Sequence, residues 1–206
     1  MYLGGLCFIT DRKVCSLPYE DMVRLVLESG VKWVQYRDKE GSRRDIYRNA
    51  LILRSITREY NAVLIVNDHT DIALAVDADG VHLGQDDLPA QKAREMLGRD
   101  RLIGLSSHSM EQAVDAEALG ADYIGFGPIF LTDTKDAGRP KGTAQLAQVR
   151  SRVHIPIVAI GGIHLENVRS VFETGIDAVA VASAILKGDI KENAGRFLDI
   201  IHSSGG

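Results

Sequence analysis

Along the whole chain, short runs of β-branched and apolar residues alternate with longer stretches whose apolar positions fall three and four apart. The runs predict strands at Leu6–Thr10, Trp33–Tyr36, Ala62–Val66, Gly80–Leu83, Leu102–Leu105, Tyr123–Phe126, Pro156–Ile160 and Ala178–Val181. The spacing between them predicts helices over Tyr19–Glu28, Arg43–Tyr60, Thr70–Val76, Ala90–Leu97, Met110–Leu119, Ala144–Val153, Leu165–Thr174 and Lys191–His202. Ile157-Val158-Ala159-Ile160 has no polar position, as expected of a parallel strand covered on both faces.

One phrase recurs at the helix-to-strand joints: Glu28-Ser29-Gly30-Val31, Leu119-Gly120-Ala121-Asp122 and Thr174-Gly175-Ile176-Asp177, with Val76-Asp77-Ala78-Asp79-Gly80 as a variant. In the first three a helix ends at a glycine able to take the left-handed conformation, and the next strand begins at once. Alternating strands and helices in about 200 residues allow a closed barrel or a doubly wound sheet. The unit count favours an α/β fold of one domain over residues 1–206, a single (β/α)8 TIM barrel. The first strand also lacks the Gly-x-Gly-x-x-Gly turn of a dinucleotide-binding sheet. In a barrel, residues that follow the strands converge on one rim. The longest irregular stretch, Gly127–Gly142, is long enough to serve as a lid.

The composition changes this picture little. A net charge of −4 gives no reason to expect nucleic acid or an anionic membrane as partner, so anionic substrates must be held by local positive charge. Cys7 and Cys15 read as two reduced thiols. No apolar run is long enough to span a membrane. Met1-Tyr2-Leu3-Gly4-Gly5 lacks the pattern of a signal peptide, and cytoplasmic residence is the expectation.

The candidate chemistry follows the strands. Gln35, Arg37 and Lys39 alternate onto one side of an extended chain, an amide, a guanidinium fork and an ammonium suited to a polyanion such as a diphosphate. Asn67-Asp68 follows the third strand and Gly84-Gln85-Asp86-Asp87 the fourth; carboxylates on neighbouring strand ends can share Mg²⁺, although Asp68 and Asp86 could instead cap helices. After the fifth strand, Ser106 is a candidate substrate hydrogen-bonding group and His108 a proton shuttle, while Ser109 with Gln112 forms a helix-capping box. Thr132, Thr134 and Lys135 could close over a diphosphate. Gly161-Gly162 and Ala182-Ser183, after the last two strands, suit a phosphate monoester held by backbone N–H groups. Two anionic ligands on one rim point to transfer between two phosphorylated small molecules, with diphosphate leaving.

These segments resemble the thiamin phosphate synthase family. The resemblance is carried by Phe8-Ile9-Thr10-Asp11, Val34-Gln35-Tyr36-Arg37-Asp38-Lys39, Val66-Asn67-Asp68, and Asp79-Gly80-Val81-His82-Leu83-Gly84-Gln85-Asp86-Asp87-Leu88-Pro89. Gly125-Phe126-Gly127-Pro128-Ile129-Phe130, Ala159-Ile160-Gly161-Gly162-Ile163 and Ala182-Ser183-Ala184-Ile185 continue it. It implies that Asp68 and Asp87 hold Mg²⁺. It also implies that Gln35, Arg37, Lys39, Asn67 and Lys135 contact an aminopyrimidine diphosphate, with Ser106 near the reacting centre. Thr132, Thr134, Gly162, Ala182 and Ser183 would hold a thiazole phosphate or its carboxylated form. The implied mechanism is dissociative: diphosphate leaves first, and the thiazole nitrogen captures the resulting cation. Ser106, Lys135, Arg37 and Lys39 are then the candidate catalytic groups. His69 stands where the family commonly has arginine. A thiazole tautomerase using His108, and a non-catalytic phospholigand-binding barrel, are the rival readings. The sequence leaves a homo-oligomer open.

Overall fold

The computed structural model describes residues 3–132 and 138–204. Eight parallel strands close into a barrel in chain order: β1 Gly5–Ile9, β2 Trp33–Tyr36, β3 Val63–Asn67, β4 Gly80–Leu83, β5 Leu102–Ser107, β6 Tyr123–Phe126, β7 Ile157–Ile160 and β8 Ala178–Val181. The helices are α1 Tyr19–Glu28, α2 Arg43–Glu59, α3 Thr70–Ala75, α4 Ala90–Leu97, α5 Met110–Ala118, α6 Gly142–Arg150, α7 Val168–Phe172, α8 Ser183–Leu186 and α9 Ile190–Ser204. The barrel and its chain order are those expected of the periodicity.

Alternation along each strand separates two apolar layers. Outward residues such as Val34, Leu64, Val81 and Ile124 pack under the helices, while Cys7, Trp33, Ile65, Tyr123 and Val158 fill the barrel interior. Gly104 leaves room for the Tyr123 ring, since a Cβ there would lie 2.1 Å from Tyr123 Cζ.

The recurring joint works as its residues suggest. Gly30, Gly120 and Gly175 all have positive φ, and in the variant phrase Asp77 takes that conformation at φ +56. The aspartate two residues further on has a job the periodicity does not reveal. Asp79, Asp122 and Asp177 each donate their backbone N–H to the neighbouring strand residue, Leu64, Ile103 and Ile157 respectively. Each carboxylate accepts that same residue's N–H, at 2.8, 2.7 and 2.9 Å. Each is also paired with an arginine from the helix before that strand: Arg54 at 2.6 Å, Arg94 at 2.6 Å and Arg150 at 2.9 Å. Three Arg–Asp clasps thus join β3 to β4, β5 to β6 and β7 to β8 at the amino-terminal rim. At the corresponding place before β2 stands Lys32, which bonds the Tyr60 carbonyl instead.

Element ends depart from the expected bounds where a side chain intervenes. Helix α7 begins at Val168 rather than Leu165, because Asn167 accepts the His164 N–H and donates to the Gly162 carbonyl, holding a turn. Helix α6 spans Gly142–Arg150, not Ala144–Val153. The four-residue α8 is too short to leave a periodic signal. Cys7 is buried and Cys15 half-buried, both as free thiols. No described helix is long and apolar enough to cross a membrane.

Candidate active site

The carboxyl ends of the strands form one mouth, and the expected residues that are described all stand around it. Its deepest part is an apolar cavity of about 190 Å³ reaching down the barrel axis to Cys7, Trp33 and Tyr123, with Gln35, His82 and Ser106 among its polar groups. A second recess of about 130 Å³ adjoins it over β7 and β8, lined by Arg37, Thr132, Gly161, Gly162, Ala182 and Ser183.

On the β2 side, the backbone of Arg37 is clamped by the buried Thr10 hydroxyl. This hydroxyl accepts the Arg37 N–H at 2.9 Å and donates to its carbonyl at 3.0 Å. The Arg37 guanidinium faces Asp11 at 3.9 Å. Asp38 then folds the loop between the two cations, accepting the N–H groups of Glu40 and Gly41 and the Tyr36 hydroxyl. Despite its partial burial, these bonds hold its carboxyl below the usual range. Lys39 reaches across the rim to Asp68 at 2.5 Å.

Asp68 has φ +66, a left-handed conformation that aspartate tolerates better than most residues, and its N–H is tied to the His82 carbonyl. It caps no helix: the residue before α3 is His69. Asp86 caps none either, since Pro89 precedes α4 without a side-chain cap. Asp87 folds back to accept the Gly84 N–H at 2.6 Å. Burial and then the neighbouring Asp68 carboxylate push the Asp87 pKa up, against the lowering effect of the Gly84 N–H and Lys39. Two carboxylates crowded at adjoining strand ends, with an ammonium drawn to them, suit Mg²⁺. That ion takes one or two carboxylates and completes its shell with water and phosphate oxygens. Among the described residues no group of three or more His, Cys, Asp or Glu that could hold a metal ion occurs. Asn67 ends β3 beside this pair.

Beneath Ser106 lies a network absent from the sequence expectations. His82 is buried with both ring nitrogens occupied, Nδ1 by the Tyr123 hydroxyl at 3.1 Å and Nε2 by the Ser106 hydroxyl at 3.0 Å. Burial lowers its pKa to about 4, so the imidazole is neutral, with one nitrogen donating and the other accepting. His108 bonds the Gly127 carbonyl through Nδ1 at 2.9 Å while lining the cavity. The capping box at α5 is shifted: Ser109 accepts the Gln112 N–H, but the Gln112 side chain accepts from His108.

The glycine pair after β7 has a steric reason beyond access for oxyanions. Gly162 has φ +67, and a Cβ there would lie 2.3 Å from the Leu131 carbonyl oxygen. The loop after β6 therefore packs directly onto the backbone that follows β7, where the Ile129 and Phe130 N–H groups bond the carbonyls of Ile160 and Gly161. Thr132 lies in this described part of the loop and lines both recesses. Thr134 and Lys135 fall outside the described residues.

Thr10, Asp11, His82, Tyr123 and Trp33 are the site-building residues that the sequence reading left without roles. A signal for three of them was present: Thr10-Asp11 closes an otherwise apolar strand, and His82 interrupts another.

The family model described as thiamine monophosphate synthase matches residues 6–185. A thiamine-phosphate synthase of Clostridium acetobutylicum is 46% identical over 200 residues, covering 95% of this chain and 94% of that protein. One from Halalkalibacterium halodurans is 47% identical over 205 residues, covering 98% and 95%. The solved structure of a thiamine phosphate pyrophosphorylase from Pyrococcus furiosus superposes with a TM-score of 0.91 at 41% identity, covering 98% of this chain and 97% of that one.

Proposed function

Because the chain belongs to the thiamine monophosphate synthase family, we propose how its own residues carry out that synthesis at this mouth. The activity is that of a transferase making thiamine phosphate from two phosphorylated precursors. The observation that carries the assignment of parts is the three-way division of the mouth. A cation-and-carboxylate cluster stands over β2 to β4, a ring-sized apolar cavity lies on the axis, and a small recess opens over β7 and β8.

The aminopyrimidine ring enters the axial cavity with its diphosphate toward Arg37, Lys39 and Gln35. Asp68 and Asp87 would hold Mg²⁺, which when bound supplies positive charge against the leaving diphosphate. Arg37, fixed by Thr10, and Lys39 add to that stabilisation and orient the leaving group in line. Lys135 serves the same end, and Thr134 belongs with Thr132 at the thiazole phosphate. Breaking the C–O bond leaves an aminopyrimidine-stabilised cation in a largely apolar cavity. The neutral His82 holds the Ser106 hydroxyl beside it without adding a repelling charge. The thiazole phosphate is held by the backbone at Gly162, Ala182 and Ser183 with Thr132, presenting its nitrogen to the cation. No protein nucleophile is required.

The experiment mixes the purified protein with aminopyrimidine diphosphate and thiazole phosphate, with Mg²⁺ or with EDTA, and follows thiamine phosphate. Metal-dependent product is expected. Folded protein giving none with Mg²⁺ refutes the assignment, and product undiminished by EDTA refutes the role of Asp68 and Asp87.

A further inference from the structure

The axial cavity ends on Cys7, Trp33 and Tyr123, and Trp33 stands between it and a second cavity. Trp33 lines the substrate cavity from below and also lines a separate cavity of about 560 Å³ that opens at the opposite, amino-terminal end of the barrel. It is 3% exposed and stacks edge-on against Tyr123 at 5.2 Å between centroids and 87° between planes. Its indole N–H is a buried donor with no partner among the described residues.

The chemistry of the substrate sets what reaches this floor. The reacting methylene sits on C5 of the pyrimidine ring and carries the diphosphate, which the cations at the rim hold at the mouth. The ring position opposite C5 is C2, which bears the methyl group. A ring hung from its diphosphate therefore points C2 down the barrel axis, with the two ring nitrogens flanking it as acceptors. Trp33 lies two residues below Gln35 on β2, about 6.6 Å along the strand, the depth of one substituted six-membered ring.

We propose that Trp33 is the specificity-determining residue for the pyrimidine 2-substituent: its indole limits the depth of the cavity to a methyl group. The inference rests on the synthase reading above.

The test compares kcat/KM for 2-methyl and 2-propyl aminopyrimidine diphosphates in wild type, Trp33→Leu, Trp33→Ala and Trp33→Phe. The ratio within each enzyme is independent of how much of it is folded. Trp33→Leu and Trp33→Ala open the floor toward the lower cavity and shift the ratio toward 2-propyl by about tenfold or more, the scale of discrimination that an apolar pocket achieves for added methylenes. Trp33→Phe keeps an aromatic floor and holds the ratio near wild type. An unchanged ratio in both opened variants overturns the proposal, as does a shift in Trp33→Phe as large as in Trp33→Leu. Absence of turnover of the 2-methyl substrate by the wild type would instead sink the synthase reading, and this inference with it.

Discussion

The buried imidazole at the base of the site makes stability depend on pH through the mildly acid range. His82 has a folded pKa of about 4 against an ordinary value of 6.5, because burial disfavours its charged form. Above about pH 6.5 both folded and unfolded chains hold it neutral, and its contribution to stability is fully present. As pH falls below that value the unfolded chain takes up a proton that the folded chain refuses. Stability then drops by about 1.4 kcal/mol per pH unit until the folded pKa is reached. At about pH 5 the loss is about 2 kcal/mol. The carboxyls that the fold holds low, such as Asp38, Asp71 and Asp77, lose their contributions only at more acid pH. Urea unfolding without added metal, at about pH 7.5 and about pH 5, measures the difference. His82→Gln keeps a neutral side chain able to bond Ser106; it should be less stable than wild type at neutral pH yet lose about 2 kcal/mol less on acidification. Equal losses in the two proteins would refute the reasoning, as would an imidazole at position 82 titrating near 6.5 by NMR in the folded state.

Asp87→Asn removes a charge from the carboxylate pair and should lower kcat/KM by about 100-fold, with a raised Mg²⁺ requirement seen in a metal titration. Thr10→Val leaves the Arg37 N–H without its buried acceptor; KM for the diphosphate should rise about tenfold while KM for thiazole phosphate stays near wild type. Gly162→Ala forces a Cβ toward the Leu131 carbonyl in a left-handed backbone. It should destabilise by more than about 1 kcal/mol and raise KM for thiazole phosphate, read by thermal melts and steady-state kinetics. Asp79→Ala strips Arg54 of its partner far from the mouth; the melting temperature should fall by about 9 °C, for a loss of about 3 kcal/mol, with kcat/KM of the folded enzyme unchanged.

The barrel was legible because its strands are buried on both faces and its helices are amphipathic, so the two periods alternate cleanly from Leu6 to Ala184. Four strands, those at Trp33, Gly80, Tyr123 and Ala178, have the expected ends at both termini. The rim residues were legible for a related reason: a charged or amide side chain immediately after an apolar run can go almost nowhere else in a barrel. Gln35, Arg37, Lys39, Asp68, Asp87 and Ser106 all follow or close such runs. What lies below the rim was hidden. Trp33 and Tyr123 are indistinguishable in sequence from ordinary strand residues, because alternation tells which face a residue takes but not how deep a cavity reaches past it. Asp79, Asp122 and Asp177 were read as parts of a turn, since their partners Arg54, Arg94 and Arg150 sit between 25 and 28 residues away on a helix surface.

Those clasps divide the barrel unevenly. They lock β3 with β4, β5 with β6 and β7 with β8, while the join of β1 to β2 has Lys32 in place of the aspartate. Amide exchange in the native protein should accordingly be slowest at Leu64, Ile103 and Ile157 and faster in β1 and β2, whose hydrogen bonds open at lower free energy. The strands that breathe most are then the ones that lead to Thr10, Gln35 and Arg37 at the proposed diphosphate site. Substrate that bridges this seam to the locked three quarters of the barrel would close it, so ligand binding should slow exchange most at Phe8 to Arg37 and least where the arginines already hold.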